Sequence, residues 1–223
     1  MGATPELIEL GPNDADELPA HDVTLDSYYI GKYEVTQALW IEIMGSNPSQ
    51  MIKNNDCPVD GMTHLQCLEF IEKLNERTGM QFALPTEAQW EYAARGGKQS
   101  TGSKYAGSNS IDNVAWYNEN SSKIGMTHPD YGPHSVKTKA PNELGIYDMT
   151  GNVYEWCADW YGNYPENAVT NPAGPGTGDT RVTRGGGWQT LPERSCVYSR
   201  YSLFATSKGE GYGLRLVLNS PKK

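Results

Sequence analysis

The chain is poor in the residues that most often announce chemistry. Its four histidines, His21, His64, His128 and His134, are scattered, and no two stand four apart on a helical face. A histidine metal pair and a catalytic triad therefore have no starting point, and all four read as surface or loop residues. The four cysteines, Cys57, Cys67, Cys157 and Cys196, form no CxxC pair and have no histidine at zinc-finger spacing. Cys67 lies in a helical pattern and Cys157 follows Trp156, so both read as small core residues. In an exported chain a disulfide stays open, and sequence does not choose the pair. Basic clusters stop at Lys222-Lys223, and the formal net charge is −9. That excludes nucleic acid and anionic membranes as partners. No apolar run approaches the length of a membrane span, and Met1-Gly2 leads into polar residues rather than a secretion signal. There is no GxxxxGK phosphate loop, no dinucleotide fingerprint in "RGGGW", no nucleophile elbow and no internal repeat.

What is present is a chain of 223 residues, 37% hydrophobic and 20% charged, which suits one domain over residues 1–223. With Gly 24 and Pro 14, many turns are expected. Tyr 14 and Trp 6 place most aromatic area in side chains with a polar handle, which suits wet cores and binding surfaces. Val23, Leu25 and Tyr28 to Ile30 are strand-like. Thr36 caps a helix with Leu39, Trp40, Ile43 and Met44 as its apolar stripe, ended by Gly45. Thr63 and Gln66 form a capping box for a second helix, whose Leu68, Ile71 and Leu74 face inward up to Gly79. Thr86 and Gln89 open a third, ended by Gly96-Gly97. The second half alternates short aromatic or β-branched segments with polar loops at 98–110, 119–141 and 163–180. The expectation is α+β, with helices early and an irregular second half. Loops this long are often functional or need something to fix them.

"YDMTGNVYEW", residues 147–156, is one candidate for that fixing. Asp148 and Glu155 are hard oxygen donors, and Gly151-Asn152 make a tight turn between them. Calcium takes such carboxylates together with backbone carbonyls. From spacing alone, a turn between two strands with solvated acids is the simpler reading.

"YYIGKYEVTQALW", "LPTEAQWEYAARGG", "NELGIYDMTGNVYEWCADWY", "RVTRGGGW" and "GYGLRL" follow one another across nearly the whole chain. Together they closely resemble the formylglycine-generating-enzyme domain, also called the sulfatase-modifying-factor family. The resemblance implies a C-type-lectin-like fold with little regular structure and a small twisted antiparallel sheet. It also implies a structural calcium held by the Asp148 side chain, the Gly151 and Val153 carbonyls and the Glu155 side chain. A second family calcium site would fall near Asn113 and Val114. Its acidic loop has no clear match, Asp130 being nearest, so that site is not expected. Family members usually open with a "GGxFxMG" strand, and this chain starts at that strand's end. A trimmed first strand, or a leader upstream, would account for it.

The catalytic branch of the family oxidises a substrate cysteine to formylglycine. It holds copper(I) between two cysteines that follow the Gly-Gly turn; soft thiolates suit that ion. Cys196 matches the second cysteine. The first falls at Thr190 or Leu191, neither a thiol. Gly187 stands where that branch has serine, and no histidine lies between Gly187 and Arg200. A related branch that makes sulfoxides carries a histidine-rich iron-binding bundle, which this chain lacks. The resemblance therefore implies a non-catalytic binding or display module. Its partner would be a protein or surface ligand, with no direct membrane insertion. The contact segment would be 188–212, through Trp188, Gln189, Arg194, Tyr198, Arg200, Tyr201, Phe204 and Tyr212. Tyrosine-serine mixtures of this kind give rigid contact area with adaptable hydrogen bonding. The same residues also read as strand residues pairing with "GLRLVL". Non-catalytic relatives include cell-surface lipoproteins and the variable proteins of diversity-generating retroelements. Two alternatives stand beside this reading: an oxygen-dependent formylglycine-generating oxidase acting through Cys196 with copper, and a structural subunit of a cell-envelope complex.

Overall fold

Three threonines open the three main helices of the computed structural model, which describes residues 1–4 and 15–219. The polar stretch after Met1-Gly2 lies partly, and the terminal lysine pair wholly, outside those residues. In α1 (Gln37–Met44) the Thr36 side chain accepts from the Leu39 amide, and Gly45 closes the helix at φ 75°. In α2 (His64–Thr78) and α3 (Glu87–Ala94) the full capping boxes form, Thr63 with Gln66 and Thr86 with Gln89. Each box satisfies two amides that the first helical turn leaves without partners. A single further turn, α4 (Ile111–Val114), starts the irregular half.

The buried stripe of α2 is Cys67, Phe70, Ile71 and Leu74. Leu68, expected to face inward, is 42% exposed. The i, i+3, i+4, i+7 series that begins at Cys67 carries the core, and Leu68 falls on its flank.

Nine short strands make three sheets. β1 (Val23–Thr24) pairs parallel with β5 (Val169–Thr170). β2 (Tyr28–Ile30), β9 (Val217–Asn219) and β3 (Phe82–Ala83) form an antiparallel sheet with β9 in the middle. The main sheet has the order β7 (Arg200–Phe204), β6 (Thr180–Arg184), β4 (Tyr154–Trp160), β8 (Tyr212–Leu214). Here β4 and β8 run parallel and the other pairs antiparallel, with a register shift in the β4–β6 ladder between Trp156 and Trp160.

β4 divides the core. Because successive strand side chains point to opposite faces, Trp156 enters one cluster with Trp40, Phe70 and Leu214. Cys157 enters the other with Trp90, Met149, Val182, Cys196 and Tyr198. His64 corrects the expectation of four surface or loop histidines. It is 1% exposed, its Nε2 lies 3.1 Å from the Cys157 carbonyl, and its ring meets Trp156 edge-on. His21 is buried as well. All four cysteines are free and buried. Among the described residues no helix is long and apolar enough to cross a membrane.

The quoted segments are tied together by buried ion pairs. Arg200 grips Glu87 of α3 with two bonds, Nε to Oε1 at 2.7 Å and Nη2 to Oε2 at 2.8 Å. Arg184 of β6 reaches Glu91 of the same helix, and Arg215 reaches Glu155 of β4. Trp90 on α3 donates its Nε1–H to Glu155 at 2.6 Å. Guanidinium forks suit such dry carboxylates because the geometry satisfies several lone pairs at once.

Candidate ligand surface and cation site

The segment 188–212 runs from the end of β6, through a one-turn helix at Pro192–Arg194 and β7, into β8. Three residues assigned to its contact surface are interior. Trp188 and Tyr198 are each 1% exposed, and Arg200 is 4% exposed. Trp188 packs edge-on against Tyr131 while its amide bonds the Asn152 carbonyl. Tyr198 belongs to the α3 side of the core, and Arg200 is spent on Glu87. These three hold the fold and do not present themselves to a ligand.

Gln189, Arg194 and Phe204 are exposed, and Tyr201 and Tyr212 are half-buried at the surface. Sequence reading missed Tyr154. Its ring stacks on Tyr212 at 4.7 Å and meets Tyr201 edge-on at 5.0 Å. It is half-buried, and the Thr190 hydroxyl donates to its hydroxyl at 2.8 Å. The available signal was alternation: in "VYEW" the two neighbours of Tyr154 point inward, so Tyr154 points the other way. Tyr201 is itself fixed by donating its hydroxyl to the Arg194 carbonyl at 2.6 Å. The result is a shelf of three tyrosine rings, two of them pinned by hydrogen bonds.

Cys196 lies beneath this region, 1% exposed, with Sγ 3.3 Å from the Glu193 carbonyl. Burial pushes its thiol above the ordinary range, with partial relief from Tyr198 and from Lys104. An activated thiol is shifted the opposite way and is partly open to solvent. At the position of the absent partner, Thr190 accepts the Gly187 amide as well as donating to Tyr154. Leu191, the other candidate position, points outward at 46% exposure.

The turn after β2's neighbour segment and before β4 carries the oxygen donors. Asp148 takes φ 59°, Gly151 φ 78° and Asn152 φ 62°, all left-handed. A Cβ on Gly151 would sit 2.2 Å from the Trp116 carbonyl oxygen, so glycine is required there. Asp148 Oδ2 accepts the Lys137 amide at 2.8 Å, while Asp148 Oδ1 is buried and has no hydrogen-bond partner. Burial, opposed mainly by that amide and by Arg215, raises the Asp148 carboxyl to about 6. Glu155 departs from the expected ligand role. Arg215 Nε and Nη2 bond its two oxygens, and Trp90 takes a further bond to Oε2. A third acid, Glu34, is buried beside them, accepting from Asn152 Nδ2 at 3.0 Å and from the Val153 amide at 3.3 Å. Burial pushes its carboxyl well up, and Asp148 and then Glu155 push it further. Among the described residues no three His, Cys, Asp or Glu side chains are arranged to hold a metal ion, so backbone carbonyls would have to complete a site. The free Asp148 oxygen fits a hard cation; the occupied Glu155 oxygens do not. At the second location, the Asn113 carbonyl accepts the Ala140 amide, and Asp130 lies on an exposed loop beside His128.

A small mixed sheet with helices on its early side and long fixed loops on its late side is a C-type-lectin-like α+β frame, shared with solved structures. Treponema denticola variable protein 1 superposes over 94% of this chain and 91% of that one, with TM-score 0.84 and 30% identity. The sulfatase-modifying factor enzyme 1-like domain matches residues 4–220, and the chain belongs to that family. It is 33% identical to the chaperone protein LppX of Paenibacillus barcinonensis over 88% of this chain and 81% of that one. It is 39% identical to the formylglycine-generating enzyme of Streptomyces coelicolor, over 47% of this chain and 35% of the enzyme. The match thus spans about a third of that enzyme's length.

Proposed function

We propose that this chain is a non-catalytic binding module whose partner is a protein, with a structural calcium behind its ligand face. The observation that carries the reading is the shelf of Tyr154, Tyr201 and Tyr212, tied to Thr190 at the position where the catalytic branch has a thiol. Pinned aromatic rings lose little freedom on binding, which is the economy used by antibody contact loops. Phe204, 58% exposed on the outermost strand, with Gln189 and Arg194 would extend the contact. Support comes from two relatives whose names carry no oxidase activity, a chaperone protein and a variable protein. A display role of the diversity-generating-retroelement type belongs to the same reading. The buried, upward-shifted Cys196 thiol weighs against the oxidase.

Calcium would be held by Asp148 with the Gly151 and Val153 carbonyls. Bound there, it would supply positive charge to an acid-rich interior and hold the turn that leads into Tyr154.

Selection of a random peptide library on the folded chain tests the ligand face. Enriched peptides should bind Tyr201→Ala and Tyr212→Ala roughly tenfold or more weakly, the usual cost of losing a central aromatic contact. Tyr29→Ala, exposed on β2, should leave their affinity unchanged. Enriched peptides indifferent to both shelf variants would refute the assignment.

A further inference from the structure

The turn leading into β4 holds more negative charge than its neighbours balance. Glu34, Asp148 and Glu155 are 1%, 3% and 0% exposed. One fully buried cation faces them, Arg215, and its Nε and Nη2 both go to Glu155. Its remaining bonds go to the Gly31 and Tyr147 carbonyls. Lys137 meets Asp148 through its backbone amide, and its ammonium lies over the Tyr33 ring, 4.5 Å from the centroid. Glu155 is therefore a compensated charge, whereas Glu34 and Asp148 are held by neutral donors.

An ionised carboxylate in a dry interior is costly unless it is paired. Two such groups around a turn whose backbone is left-handed at three positions make an arrangement that needs a counter-charge. The unpartnered Asp148 Oδ1 is the second, independent sign, since a buried oxygen without a donor is rare in a finished interior. Hard divalent cations take such oxygens together with backbone carbonyls.

We infer that Glu34, and not Glu155, is the second acid of the cation site, so that Asp148 and Glu34 balance one divalent ion while Glu155 anchors Arg215. This rests on the calcium reading above and changes which side chains serve it. Its consequence is mechanical. Glu34 stands between β2 and α1, so the ion ties the early half of the chain to the turn that positions Tyr154.

The full chain, stripped with EDTA, is titrated with calcium chloride by calorimetry and then melted with and without the ion. The wild type should take up one ion, and its Tm should rise by roughly 5–10 °C at about a hundredfold excess over Kd. Glu34→Gln and Asp148→Asn should both lose uptake and Tm response, while Glu34→Asp, which keeps the charge, should retain a weakened response. Glu155→Gln should melt lower than the wild type yet still respond to calcium, because it frees Arg215 without removing a ligand. A wild-type response in Glu34→Gln, or a response lost in Glu155→Gln alone, overturns the assignment and leaves the calcium reading standing. No uptake by the wild type overturns both.

Discussion

Replacing Asp159 with asparagine should reshape the pH profile of stability. Asp159 is 4% exposed near the end of β4, and its Oδ2 accepts the Glu87 amide at 2.9 Å, at the start of α3. Burial raises its carboxyl from 3.8 to about 7, and the Glu87 charge adds to the rise, against relief from that amide and from Arg200. The folded state thus binds this proton more tightly than the unfolded chain. The stabilisation is full below 3.8 and is lost as pH rises through about 7. The step from 3.8 to about 7 amounts to about 4 kcal/mol, at about 1.4 kcal/mol per tenfold change in proton affinity. Asp159→Asn keeps an acceptor for the Glu87 amide and cannot ionise. Urea unfolding from pH 4.5 to pH 8 should show the variant gaining on the wild type as pH rises, by about 2–4 kcal/mol at the alkaline end. Parallel profiles for the two proteins would refute the buried, proton-holding state of Asp159.

Trp188→Ala should lower stability by about 3–5 kcal/mol in denaturant titration, because a fully buried ring leaves a cavity. A change within ~0.5 kcal/mol would mark Trp188 as the surface contact that its sequence setting suggested. Cys196→Ser should leave copper(I) uptake, measured against a competing chelator, equal to that of the wild type. Tight stoichiometric uptake by the wild type that the serine variant loses, joined to conversion of a Cys-x-Pro-x-Arg peptide, would restore the oxidase reading.

The local parts of the fold were legible because their signals are local. Thr63 with Gln66, and Thr86 with Gln89, specify helix starts within four residues, and both boxes form. The motif order led to the family. Long-range partners were not legible. His64 looks like a polar residue at a helix start, and its bond to the Cys157 carbonyl crosses 93 positions. Glu34 has no spacing relation to Asp148 that a sequence pattern could flag. The 188–212 segment misled in a specific way. Its composition suits a contact surface, but Trp188, Tyr198 and Arg200 point inward and Phe204 outward. Composition averages over faces, and only the placement of each residue on its strand or turn separates them. Tyr154 was overlooked for the same reason, being read as part of a cation motif and not as the residue on the opposite face.

The middle position of β9 has a further consequence, for synthesis. Its two ladder partners, Tyr28–Ile30 and Phe82–Ala83, leave the ribosome long before Val217–Asn219 exists. Until translation has passed residue 219, both wait with open edges, and the sheet they belong to cannot close. Such distant pairing slows folding and leaves nascent chains exposed to misassociation. It also makes closure a check on length, because a product cut off before β9 keeps those edges open and is marked for proteolysis.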